Sequence, residues 1–360
     1  MSKVYIIAEA GVNHNGSYDK AIGLIESAAK AGADAVKFQT FKTENVITLN
    51  AKKAKYQEKT TGTTETQFEM VKKLELPFEW HYDLIKHCSK NKIEFLSTAF
   101  DHDSLNFLVN NLGLNTLKIP SGEITNGPLL LAYAQTGCKL ILSTGMSTIK
   151  EIQNALSIIS FGYIYGKKPK IRPLIKNFDN AFLSEIAKSM LKEKITLLHC
   201  TTQYPAPFND INLNAMITLS EVFDLPVGYS DHSEGIIVPI SAASMGARII
   251  EKHFTLDSNL PGPDHKASLE PLKLKEMVES IRIVEKILGD GIKVPRPSEL
   301  SNRDVARKSI VAAKNIKKGD FFTEENLSIK RPGTGKNPMQ YWDLIGKKSL
   351  NDYSFEDLID

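Results

Sequence analysis

Ala35-Val36-Lys37-Phe38-Gln39-Thr40-Phe41 begins as an apolar, β-branched run and ends in polar side chains. In a strand, residues i and i+2 share a face, so Lys37 and Gln39 point the same way. Seven further runs repeat the pattern, at residues 4–8, 93–100, 116–119, 139–146, 195–202, 225–231 and 249–256. Each starts apolar and acquires acids, lysines, hydroxyls or histidines near its end. Between the runs lie stretches of helical periodicity, such as Ala21, Leu24, Ile25 and Ala28, and later Met277, Ile281, Val284 and Leu288. Eight alternating units predict an α/β chain with a (β/α)8 TIM barrel over residues 1–288. A barrel needs about 250 residues, so one insertion is accommodated. A doubly wound open sheet is the alternative. The polar endings favour the barrel, because closure brings all eight to one rim, where barrel enzymes carry their chemistry.

The chain has 360 residues, 42% of them hydrophobic, enough for a large core and about two domains. With 45 basic against 42 acidic residues the net charge is +3. No global field marks a nucleic-acid or membrane-surface binder, and any bound anion must be held locally. Three widely spaced cysteines, Cys88, Cys138 and Cys200, argue against a disulfide framework and for a reducing, cytoplasmic setting. The N-terminal apolar run is cut short by Glu9 and Gly11, so neither a signal peptide nor a membrane span is expected, and the protein reads as soluble. Residues 161–194 form the insertion, with Tyr163, Tyr165, a basic run at 167–172 and a helical stretch at 180–190. This segment holds 8 basic and 3 acidic residues and reads as peripheral. Residues 289–305, with Gly289-Asp290-Gly291 and Pro295-Arg296-Pro297, have linker composition. From 306 to 360 the pattern changes to short β-like pieces at 309–312 and 327–330 around a Lys317-Lys318-Gly319-Asp320 turn, a second unit with a thin core.

Several rim residues suggest chemistry. His232 and His253 end the seventh and eighth runs, neighbours in a closed barrel. They read either as hydrogen-bonded packing residues or as ligands of one metal, which two imidazoles leave open to substrate oxygens. Lys37 and Lys118, with Ser121, Ser143 and Ser230, suit a phosphate or carboxylate; a Schiff-base lysine is the rival reading. Glu9, Glu123 and Glu251 stand where a general acid or base is needed, or pair with those lysines. Two turn-rich loops, Asn13-His14-Asn15-Gly16 and Pro261-Gly262-Pro263-Asp264, follow the first and eighth runs, and the second would hold Asp264 rigidly at the rim.

These residues lie in motifs that resemble the sialic acid synthase family, which includes N-acetylneuraminate and legionaminate synthases. The motifs are IAEAGVNHNGS from Ile7, AVKFQTF from Ala35, FLSTAFD from Phe95, LKIPSGE from Leu117, ILSTGM from Ile141, LLHCTTQYPAP from Leu197, GYSDHSEG from Gly228, IEKHFTLD from Ile250, PGPDHKASLEP from Pro261 and IKRPGTG from Ile329. They span nearly the whole chain in order. The resemblance implies condensation of phosphoenolpyruvate with an open-chain N-acetylmannosamine-type aldehyde and water, releasing phosphate, with a divalent ion, Mn2+ or Mg2+. It implies His232 and His253 as metal ligands, and Lys37, Thr98, Lys118, Ser121, Ser143, Thr202, Ser230 and His232 around phosphoenolpyruvate. Gln39, Tyr204, Asp264 and Arg331 become sugar contacts, with Glu9 as acid/base group and Glu123 as a second. At Thr202 some relatives carry an amide. The second unit resembles an antifreeze-like (SAF, β-clip) domain, which implies a domain-swapped homodimer with Arg331 reaching the sugar of the other protomer. N-acetylmannosamine is the first expectation for the aldehyde and the 2,4-diacetamido-trideoxymannose of legionaminate synthesis the alternative. A Schiff-base aldolase and a non-enzymatic carbohydrate or ice binder are the other classes, and the eight polar strand ends speak against the latter.

Overall fold

The computed structural model describes residues 3–167 and 170–360. The chain divides into two compact units, Met1–Gly289 and Asp290–Asp360. In the first, eight parallel strands close a barrel in chain order: β1 (Tyr5–Gly11), β2 (Ala35–Thr40), β3 (Glu94–Ala99), β4 (Thr116–Ile119), β5 (Lys139–Ser143), β6 (Ile195–His199), β7 (Val227–Asp231) and β8 (Ile249–His253). β8 pairs with β1, placing Glu9 opposite His253 on one side and opposite Lys37 on the other. The open sheet is thereby excluded.

The two-residue period of the strands builds the site. Ile7, Ala35, Leu96, Ile141, Leu198 and Ile249 pack together as one apolar layer inside the barrel. Two residues further along the same faces stand Glu9, Lys37, Thr98, Ser143, Cys200 and Glu251, so a mostly polar layer sits directly on an apolar floor. Gly228 is required at this level, because a Cβ there would lie 2.4 Å from the Ile249 carbonyl oxygen. Alternate residues, among them Ile6, Val36, Phe38, Leu117, Leu142 and Ile250, face outward into the main core under the helices.

The helix Tyr18–Ala31 buries Ala21, Leu24, Ile25 and Ala28, the stripe read from the sequence; Ser17 caps its start and Gly32, at φ 83°, ends it. In the helix Pro271–Ile287, Met277, Ile281 and Val284 are buried, and Leu288 falls just past its end. Between β2 and β3 the chain makes a long excursion through short helices at Thr43–Val46, Lys55–Thr61 and Gln67–Lys72 before the helix Phe78–Lys90.

Two details of the expected insertion change. Residues 161–165 are not inserted: they complete the helix Ile149–Tyr165, with Phe161 buried against Phe178. The helical stretch at 180–190 is two helices, Ile175–Phe182 and Glu185–Lys194, broken where the Ser184 hydroxyl accepts from the Ala187 N–H and starts the second. Lys168 and Pro169 of the basic run lie outside the described residues.

The second unit contains an antiparallel pair, β9 (Ser309–Ala312) and β10 (Leu327–Lys330). A small core of Ile310, Ala312, Ile316, Phe322, Leu327 and Ile359 supports it. The segment of linker composition includes an exposed helix, Pro297–Ala306, begun by Pro297 and Glu299, whose side chain accepts from the Arg296 N–H. All three cysteines are buried and free. Among the described residues no helix is long and apolar enough to cross a membrane.

Candidate active site

A cavity of about 470 Å³ opens at the C-terminal ends of the barrel strands. Its lining includes Glu9, Lys37, Gln39, Thr98, Lys118, Ser121, Glu123, Ser143, Thr202, Tyr204, Ser230, His232, Glu251, His253 and Asp264, so the barrel residues expected to bind or react converge there, whereas Asn13, His14, Asn15 and Gly16 do not line it. A second cavity of similar size, about 450 Å³, sits by the start of β7 and contains none of them. Arg331 belongs to the second unit, where it is exposed and its Nε donates to the Ala306 carbonyl at 3.1 Å.

At the centre, carboxylates and ammonium groups alternate. Lys37 Nζ lies 2.6 Å from Glu9 Oε2 and 3.5 Å from Glu251 Oε2, while Lys118 Nζ lies 2.9 Å from Glu251 Oε1. All four side chains are almost fully buried. Removing any one charge from water costs several kcal/mol, and the alternation is what offsets it. Burial pushes the Glu251 carboxyl up, but Lys118 and Lys37, with hydrogen bonds from Lys118 and Ser230, outweigh it and hold Glu251 far below the usual carboxylate range. Glu9 comes out the other way. Burial, with Glu251 nearby, raises it to about 7 against the pull of Lys37. Lys37 is pushed down by burial and more strongly up by Glu251 and Glu9, so its amine is held protonated. A Schiff-base lysine must lose that proton, so the geometry disfavours Lys37 in such a role. Glu123 stands apart from this array and accepts a hydrogen bond from Asn126 at 2.7 Å.

The two histidines face each other with ring centroids 5.4 Å apart. His232 Nδ1 lies 2.7 Å from the Thr201 carbonyl, which makes Nδ1 the protonated nitrogen and leaves the Nε2 lone pair 3.3 Å from the Tyr204 hydroxyl. His253 Nδ1 is buried with no hydrogen-bond partner, and Asp264 Oδ2 lies 4.0 Å away. Burial holds both imidazoles neutral, with His232 and Lys37 adding to the effect on His253, and raises Asp264 to about 6. Among the described residues no group of three or more His, Cys, Asp or Glu forms a metal cluster. Two neutral imidazoles, one with an orphaned nitrogen, nevertheless match the donors of an open, weakly ligated divalent site.

Beside Lys118, the Ser121 hydroxyl accepts the Gly145 N–H at 3.0 Å, and the hydroxyls of Ser143 and Thr202 are buried without partners. A Cβ on Gly145 would lie 2.2 Å from Thr202 Oγ1, so only glycine fits this cradle. Unpartnered hydroxyls beside an ammonium group suit a phosphate or carboxylate. Sequence reading missed Gly145, because a glycine in Ser-Thr-Gly looks like an ordinary turn. It also missed the outer wall of the cavity, where Phe41, Val46, Ile47, Met70, Val71 and Phe100 present apolar surface. Helical and strand periodicities do not register residues 41–76, whose helices span only one or two turns.

Residues 24–293 match the NeuB family and residues 307–352 the SAF domain. The chain is 50% identical over 359 residues to the N,N'-diacetyllegionaminic acid synthase of Campylobacter jejuni, covering 100% of this chain and 99% of that one. It is 44% identical to the enzyme of the same name from Legionella pneumophila, covering 96% and 91%. Among solved structures it resembles the N-acetylneuraminic acid synthetase of Leptospira borgpetersenii, with a TM-score of 0.66, 35% identity, and 84% and 90% of the two chains covered.

Proposed function

We propose, from the premise that this chain belongs to the NeuB family, that it is a nonulosonic acid synthase joining phosphoenolpyruvate, a 2-acetamido sugar aldehyde and water, with release of phosphate. The observation that carries the reading is the array Glu9, Lys37, Glu251 and Lys118 beside two neutral imidazoles and a cradle of unpartnered hydroxyls. Lys37 and Lys118 bind the carboxylate and phosphate of phosphoenolpyruvate, and the hydroxyls of Ser121, Ser143, Thr202 and Ser230 complete the hydrogen bonds, with Ser121 oriented by the Gly145 N–H. Gln39, Tyr204 and Asp264 orient the sugar.

The enol carbon forms a bond to the aldehyde carbon, and positive charge develops at C2 of the former phosphoenolpyruvate. Glu9, near neutrality in its proton affinity, takes the proton of the water that adds at C2. The C2–O bond to phosphate then breaks as the new C2 hydroxyl becomes the ketone and its proton leaves with phosphate, and the proton taken by Glu9 passes to the alkoxide left on the former aldehyde carbon. Glu251, ionised throughout, holds Lys37 and Lys118 in place through its two ion pairs. His232 and His253 would hold a divalent ion, Mn2+ or Mg2+, which when bound polarises the aldehyde carbonyl.

For the aldehyde, the 2,4-diacetamido-trideoxy sugar of the legionaminate route is favoured over N-acetylmannosamine. The 50% identical relative is named for that product. Val46, Ile47, Met70 and Val71 also offer apolar surface that suits the methyl groups of such a sugar, and Gln57 and Gln67 beside them offer amides to its acetamido groups. We further propose the domain-swapped homodimer, with Arg331 serving the sugar bound by the partner subunit.

The test is phosphate release from phosphoenolpyruvate with each aldehyde, with and without chelator. Metal-dependent release with the diacetamido sugar at the higher kcat/KM is expected. Release without any aldehyde, or inactivation by borohydride, would overturn the reading.

A further inference from the structure

Behind the two imidazoles lies a second buried ion pair that does not line the cavity. β7 and β8 run side by side with Asp231 opposite Lys252. Both side chains point away from Ser230 and Glu251, which meet inside the barrel at 2.7 Å. Lys252 Nζ lies 2.5 Å from Asp231 Oδ2, and both side chains are fully buried. Asp231 Oδ1 accepts the Ser233 N–H at 3.0 Å, and Lys252 also donates to the Ser233 carbonyl. Asp231 and Ser233 flank His232 in the chain, and Lys252 directly precedes His253. One ammonium group therefore ties together both neighbours of the first histidine and the backbone of the second.

Fold stability is a weak reason for such a pair. A buried ion pair can usually be replaced by apolar side chains of similar volume without loss, because desolvation consumes most of the attraction. What the charges add is direction, since the ammonium group bonds the Asp231 carboxylate and the Ser233 carbonyl together. His232 has further fixed points, its Nδ1 against the Thr201 carbonyl and its own carbonyl accepting the Ala206 N–H at 2.9 Å. His253 lacks a hydrogen bond at Nδ1, so its ring is placed by its backbone alone, which is held by pairing with β1, by its carbonyl accepting the Leu269 N–H at 2.9 Å, and by Lys252 beside it.

We propose that Asp231 and Lys252 are positioning residues, a clamp that sets the separation and orientation of His232 and His253 for a divalent ion. The proposal rests on the metal reading of those histidines. The full-length, metal-stripped chain is titrated with Mn2+ alone by electron paramagnetic resonance, alongside its unfolding temperature. The double replacement Asp231→Leu/Lys252→Met is expected to unfold within a few degrees of the parent while its Mn2+ affinity falls about tenfold or more, the range seen when supports of metal ligands are removed. Lys252→Arg, which keeps the charge, is expected to retain affinity within about threefold of the parent. A purely structural pair would lower the unfolding temperature and leave the affinity of the folded chain unchanged, and that result overturns the clamp. Should the double variant fail to fold, the isosteric Asp231→Asn is read the same way, and parent-like affinity in it also overturns the proposal. His232→Ala and His253→Ala separate the two readings. Mn2+ binding that survives them, or its absence in the parent, sinks the metal site and the clamp together, whereas histidine-dependent binding untouched by the pair variants sinks the clamp alone.

Discussion

Glu9 is under opposing pressures. Burial and the Glu251 charge favour its protonated form, Lys37 favours the ionised one, and the balance falls at about 7. A general base works ionised, so kcat/KM for phosphoenolpyruvate should rise as pH passes upward through about 7 and fall below it. Glu9→Gln should abolish that limb and lower kcat by roughly 100-fold or more, the usual weight of a positioned base. A pH profile of the variant that still bends near 7 would assign the limb to another group. His253→Ala removes one of the two imidazoles that line the cavity among the described residues. Activity is expected to drop by at least about 100-fold and Mn2+ binding to be lost; full activity of this variant in the presence of chelator would end the metal role. At this scale the site is largely legible, because Lys37, Thr98, Ser143 and His253 each stand two residues beyond an interior position or another rim residue on the same strand face. Gly145 and the charge state of Glu9 are not legible. Each depends on neighbours from strands far away in sequence, Thr202 in one case and Glu251 in the other.

Among the elements, Asp34 joins three. Just before β2, its carboxylate accepts the Ile6 N–H of β1 at 2.9 Å and the Arg282 guanidinium of the helix Pro271–Ile287 at 2.6 Å, with Lys3 at 2.5 Å. Burial pushes this carboxyl up, but the hydrogen bonds from Lys3, Ile6 and Arg282 outweigh it and hold it below its ordinary value. A depressed folded value means that the stabilisation is fully present above the unfolded value of about 3.9 and is lost as pH falls through the folded one. Asp34→Asn should therefore cost about 1 to 3 kcal/mol at neutral pH and flatten the acid limb of stability, measured by urea unfolding between pH 7 and 3. An unchanged acid limb would show the contact to be inconsequential. The strands that meet here are readable from their alternation. The excursion between β2 and β3 is not, since Thr43–Val46 and Gln67–Lys72 are too short to display a period, and their apolar residues pack as a small cluster with Val12 and Phe41 rather than as a stripe. The same limit explains the insertion, where one amphipathic reading covers two helices and only the cap at Ser184 separates them.

For the whole molecule, eight repeated units made the barrel readable because closure is the one arrangement that unites all eight polar endings. The second unit is harder to read. Its sheet has two four-residue strands and its core six buried apolar side chains, too little pattern to state a partner. The proposed swapped homodimer supplies one, and it makes a prediction that neither unit makes by itself. Arg331→Ala and His253→Ala damage the same reaction from different units of the chain. Co-expressed with different affinity tags, the two inactive chains pair at random, and half of the dimers are mixed. In a swapped dimer each mixed pair contains one site with both lesions and one with neither, so about one quarter of the sites, and of the parental activity, should return. If each chain completes its own site, every site in the mixed dimer keeps one lesion and no activity returns. Phosphate release by dimers purified through both tags, where the recovery should reach about one half, distinguishes the two outcomes without depending on how efficiently the chains exchange.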